Sequence, residues 1–142
     1  MLRGIARGVV LAALAALAGA CGSTTTAPTT TVQTITETYI GTLIPASAGT
    51  FSFTTLTGGS VIATLTTLGP DNTKTVGFSL GNFNPAANVC SVTLDNTAAT
   101  QGFAFTANAS SIGTYCVRIY DDGQTTADNV PYTFTITVTH PQ

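Results

Sequence analysis

Residues 132–139 read Tyr-Thr-Phe-Thr-Ile-Thr-Val-Thr. Four large apolar side chains alternate without exception with four threonines. A strand sends successive side chains to opposite faces, whereas a helix would scatter these residues around its surface. The segment therefore predicts a β-strand with one buried face and one face of hydroxyls. Thr, Val and Ile are β-branched, which reinforces the choice.

The same period of two recurs along the chain from about Thr34. It predicts strands over 37–43, 50–55 (Phe51 and Phe53 on one face), 60–68, 75–81 (Val76, Phe78 and Leu80 aligned), 90–94, 102–107 (Phe103 and Phe105 aligned), 114–120 and 132–139. Leu68-Gly-Pro-Asp-Asn72 is a turn, and Asn82 to Asn88, with Pro85, reads as a longer loop. No stretch past the N-terminal segment has a helical period. Eight short strands with frequent turns predict an all-β domain over 36–142, a two-sheet antiparallel sandwich of jelly-roll-like or Greek-key type.

Composition narrows the function. Only 7% of residues are charged, against about 25% in ordinary globular proteins, and some thirty threonines fill the gap. Arg3 and Arg7 lie at the extreme N-terminus, leaving Lys74 and Arg118 against Glu37, Asp71, Asp95, Asp121, Asp122 and Asp128. Nucleic-acid binding needs clustered cations to neutralise phosphates, and this chain has none.

The N-terminus has the grammar of an export signal. Two arginines precede an uncharged run of small and apolar residues, Gly8 to Ala20, too short to span a bilayer. Leu17-Ala18-Gly19-Ala20-Cys21 resembles the bacterial lipobox, with Ala18 where a branched residue is usual. The resemblance implies a signal peptide over 1–20 and a mature N-terminus at Cys21, carrying diacylglycerol on its thiol and an acyl chain such as palmitate on its amine. Several chains at about 0.8 kcal/mol per buried CH₂ anchor stably. Residues 21–35 then form a Thr-rich tether. Gly22 after the cysteine implies the outer membrane in a Gram-negative cell. The other reading of the segment is an ordinary cleavage site with a free Cys21.

Cys90 and Cys116 remain, and in an oxidising compartment they are expected to pair. Their parities disagree. Cys90 shares the parity of Val92 and Leu94, which look inward, whereas Cys116 lies opposite Val117 and Ile119. A disulfide therefore requires a bulge near Cys90 or a bridge at a strand end.

Gly49-Thr-Phe-Ser-Phe, Gly59-Ser-Val-Ile-Ala-Thr-Leu, Gly113-Thr-Tyr-Cys-Val-Arg-Ile-Tyr and Tyr132-Thr-Phe-Thr-Ile-Thr-Val form an ordered series. It resembles the bacterial pre-peptidase C-terminal domain across about 37–139. The resemblance implies a β-sandwich with an accessory role in secretion, surface attachment or polymer binding. Two departures stand out. No stretch of this sequence is expected to form a catalytic domain beside it, and 75–81 lacks the acidic residue often found there.

Catalysis is not expected. The single histidine, His140, lies two residues from the C-terminus, where a frayed end is expected, and no hydrolase, zinc-protease or phosphate-loop motif appears. The candidate ligand residues are Tyr120, Asp121, Asp122 and Asp128. Tyr120 offers an aromatic face to a sugar ring, while Tyr115 and Tyr132 have core parity. Asp121 and Asp122 are adjacent and so point apart on a strand. With Asp128 and Asn129 they form an acidic segment that reads either as a calcium loop or as a solvated loop. Two functions follow: a non-enzymatic envelope module binding polysaccharide, peptidoglycan or a protein partner, or a structural envelope lipoprotein with no small ligand.

Overall fold

A computed structural model of the chain describes residues 31–123 and 129–142. The expected signal peptide, the expected lipidation site Cys21, most of the expected tether and Asp128 lie outside the described residues. The strands are β1 (Thr34–Leu43), β2 (Ala48–Thr55), β3 (Gly59–Gly69), β4 (Val76–Asn84), β5 (Val89–Ala99), β6 (Ala104–Ala109), β7 (Gly113–Tyr120) and β8 (Tyr132–Pro141). They form two four-stranded sheets, ordered β1-β8-β3-β6 and β2-β7-β4-β5, with every pairing antiparallel. The chain changes sheet at every connection except the β4–β5 hairpin. This order is the jelly roll, and it decides between the two sandwich types expected from the sequence.

The period of two becomes the core. Tyr132, Phe134, Ile136 and Val138 of β8 meet Val76, Phe78, Leu80, Val117 and Ile119 of the other sheet, all buried. A register shift between Leu65 and Thr67 adds a residue to β3, so Val61, Ala63, Leu65 and Leu68 all face inward despite the change of parity.

The outer face of the first sheet carries no charge. Register aligns Thr36, Thr139, Ile62 and Thr106 in one row, and Thr38, Thr137, Thr64 and Ala104 in the next. The hydroxyls of Thr36 and Thr139 lie 2.8 Å apart, and those of Thr66 and Thr137 3.0 Å apart.

Two expectations are corrected. Asn82 to Asn88 is not one long loop: β4 runs to Asn84 and β5 begins at Val89. Asn84 Oδ1 accepts the N–H groups of Ala86 and Ala87, and Asn88 takes the left-handed conformation that asparagine tolerates, so the turn is tight. His140 is not on a frayed end. It is fully buried, because β8 lies between β1 and β3 inside the sheet.

The disulfide Cys90–Cys116 is present, with Cα atoms 5.8 Å apart. Of the two arrangements expected for it, the bulge is the one found. Leu80 pairs with Leu94 and Gly81 with Val92, so Thr93 is the extra residue of β5. It leaves Leu94 half-buried against the core and turns Val92 and Cys90 to the outer face, where Cys116 lies opposite Gly81. A Cβ on Gly81 would stand 2.1 Å from the Ser91 carbonyl oxygen. The β5 backbone therefore lies directly against the Gly81 Cα, and only glycine permits that approach.

Candidate functional site

Among the described residues, Tyr120, Asp121 and Asp122 each engage different partners. Tyr120, at the end of β7, lays its ring over Gly77, where a Cβ would meet it at 2.1 Å. Its hydroxyl donates to the Asp95 carboxylate, 3.0 Å from each oxygen, and the Arg118 guanidinium sits 4.6 Å from the ring centre. Burial, then the hydrogen bond to Asp95 and that carboxylate's charge, hold the phenol above its ordinary range. Ser79 Oγ also donates to Asp95, at 2.8 Å, and is wholly buried beneath this group. Asp121 accepts the N–H groups of Ala46 (2.7 Å) and Gly123 (2.9 Å), fastening the turn between β1 and β2. Asp122 accepts from Thr75 Oγ1 at 2.9 Å. Among the described residues no three His, Cys, Asp or Glu side chains are grouped to hold a metal ion.

A second polar cluster escaped the sequence reading. Glu37, Tyr39 and His140 share the inner face at the edge where β1 overlies β2. Tyr39 donates its hydroxyl proton to Glu37 Oε2, and its ring stacks on Phe51 with centroids 5.0 Å apart. His140 Nε2 lies 3.1 Å from Glu37 Oε1, and its ring packs 5.0 Å from Phe53. Gln142 Nε2 lies 3.4 Å from Nδ1, so the tautomer protonated on Nε2 satisfies both contacts. Burial, followed by the hydrogen bond to Glu37 and its charge, raises the Tyr39 pKa well above the usual phenol range. The described contacts of His140 include no hydroxyl or thiol nucleophile. The cluster clasps β8 to β1.

The opposite edge, between β5 and β6, is open. A cavity of about 370 Å³ lies there, inside the range of roughly 300–1,000 Å³ usual for ligand sites. Its cause is local. The inner row of β6 runs Phe105, Ala107, Ala109, and the two alanines leave unfilled the space that phenylalanine fills farther along. Val61, Leu80, Leu94 and the Tyr115 ring complete the apolar floor. Asn82, Thr93, Thr106, Asn108 and Ser110 surround it, so the lining is uncharged. Tyr115, expected in the core, is half-buried here, with one side on Phe53 at 5.8 Å. Tyr132 is buried as expected.

No protein-family model matches the chain, and no curated protein matches it in sequence. Among solved structures it is similar to PliG of Aeromonas hydrophila, a periplasmic inhibitor of g-type lysozyme. The likeness has a TM-score of 0.50 at 11% identity, over 75% of this chain and 86% of that one. It shows the fold: an all-β sandwich of two antiparallel sheets.

With that fold the β5–β6 cavity can do one thing well. It can desolvate an uncharged group, since a charge placed there would have no partner. The Asn82 side chain, on the inner parity of β4 beyond Leu80, is exposed at the cavity and makes no hydrogen bond to another described residue.

Proposed function

We propose that this chain is a non-enzymatic binding module of the bacterial envelope, exported, lipid-anchored through Cys21, and taking its partner at the cavity between β5 and β6. The cavity carries the reading: it is formed, apolar at its floor, uncharged and open at a sheet edge. The periplasmic inhibitor of similar fold supports a protein as the partner class and the envelope as the setting. The lipobox-like Leu17–Cys21 and the likeness to accessory domains of secreted proteins support the same setting. Tyr120 is engaged by Asp95 and Arg118 and presents no open aromatic platform, so the cavity takes its place as the candidate site.

The test is a thermal-shift screen of the full chain in detergent against g-type lysozyme, peptidoglycan fragments, neutral polysaccharides, calcium and EDTA. A stabilisation lost in Ala107→Phe, which fills the cavity, supports the reading. A ligand at a hundred times its Kd adds about 2.7 kcal/mol. No shift from any addition, or a shift that Ala107→Phe leaves intact, counts against the cavity. The charge-free threonine face of the first sheet favours the second reading, a structural lipoprotein without a small ligand, and the first of those outcomes would select it.

A further inference from the structure

The cavity lies against β6, the last strand of its sheet. Thr106 and Asn108 line it, although their side chains have the outward parity of Ile62 and Ser60, with which they pair. The ladder explains why. Leu65 turns both its N–H and its C=O toward the β6 side, bonding the Phe103 carbonyl at 2.9 Å and the Gly102 N–H at 2.7 Å. In an antiparallel ladder the direction alternates residue by residue. Ala63 and Val61 therefore also bond toward β6, and their partners Phe105 and Ala107 bond back. Ala104, Thr106 and Asn108 are left directing N–H and C=O away from the sheet. β6 ends its sheet, and among the described residues nothing bonds its outer side.

We propose that β6 is a docking edge for an extended peptide segment of a partner protein, which adds to the sheet as a fifth strand and places one uncharged apolar side chain in the cavity. This rests on the cavity being the binding site. Donor–acceptor couples at Thr106 and Asn108 repeat every two residues, about 6.8 Å, a spacing that another strand shares. Main-chain bonds supply affinity in strand addition, and a pocket for an alternate side chain supplies specificity. The uncharged lining selects a neutral apolar residue, because a buried carboxylate or ammonium would go unpaired. An open edge is ordinarily blunted by charge, proline or a covering element. Residues 104–109 have no charge and no proline.

The probes are neutral heptapeptides of alternating Thr and Val with Leu, Ile, Phe or Tyr at the centre, titrated into the full chain in detergent. Binding is followed by calorimetry and by amide exchange. At least one peptide is expected to bind and to slow exchange at the Thr106 and Asn108 amides. N-methylation of its alternate amides, or Asp at its centre, is expected to weaken it at least tenfold. Thr106→Pro removes an outward N–H and no native bond, a placement that edge strands tolerate. It should keep the melting temperature within a few degrees and weaken the peptide at least tenfold. Binding unaffected by Thr106→Pro but abolished by Ala107→Phe overturns strand addition and leaves the cavity standing. Binding unaffected by both overturns both. No binding by any peptide overturns the proposal, as does protection of both amides in the free chain accompanied by a dimer in sedimentation, which would assign β6 to self-pairing.

Discussion

At the scale of single residues, Gly81 does the work that no other residue type can. Its Cα touches the β5 backbone at Ser91 and Val92, so Gly81→Ala sets a methyl group against atoms that cannot rotate away. Overpacking of this kind costs about 1–3 kcal/mol, on the order of 5–15 °C in a domain of this size, measurable by calorimetry. Gly77→Ala should cost less, because the atoms in its way belong to the Tyr120 side chain. Neither role is legible in the sequence, where both glycines read as weak spots in a strand. His140 was missed for a related reason: nearness to the chain end suggests exposure, and only the pairing of β8 places it at 0% exposed beside Glu37. Tyr39 makes a pH-dependent prediction. Its folded pKa is raised, so the folded state keeps a proton that the unfolded chain releases near pH 10. The contribution is complete below about pH 10 and is lost as pH climbs through the folded value. Tyr39→Phe should flatten the alkaline loss of stability in melts above pH 10, leaving the smaller slope that Tyr120 contributes in the same direction.

Among the elements, strands were far more legible than their ends. Alternation found all eight, and the Thr face of β8 followed from parity alone, whereas its alignment with threonines of β1 and β3 came only with the register. The cysteine mismatch called for a bulge near Cys90 or a bridge at a strand end, and Thr93 provides the bulge. What alternation could not supply was the joint between β4 and β5, because Asn82 and Asn84, on either side of Phe83 and just before Pro85, continue the ladder in residues that look like loop. The β5–β6 cavity was hidden as well: alanine at 107 and 109 is ordinary in a strand and becomes a void only when the facing sheet is known. Opening the disulfide should test how far β5 depends on it. Cys90→Ser with Cys116→Ala reopens a loop of about 27 residues, worth roughly 3–4 kcal/mol in the chain-entropy model. Amide exchange should accelerate first at residues 89–92, while β8 holds its protection until global unfolding.

For the molecule as a whole, the buried cluster of the described residues runs from Leu43 to Val138 and is assembled within residues 31–142. A fragment of residues 31–142 is therefore expected to melt cooperatively at the temperature of the full chain, whereas truncation after Val130 removes an interior strand of the first sheet and should give an unfolded product by circular dichroism. In cells, Cys21→Ser should abolish incorporation of a labelled palmitate analogue and release the protein from the membrane fraction. The chain enters the sandwich on β1, and the cavity opens at the far edge, on β5 and β6. Any pull between those two places crosses every ladder of a sheet transversely, strand by strand. In the second sheet, however, Cys90–Cys116 ties β5 to β7 past β4, so tension arriving at that outer strand passes by covalent bond into the sheet interior. The β5 side of the cavity is thereby riveted, whereas β6, the strand proposed to take the partner, is held in its sheet by its ladder to β3 alone.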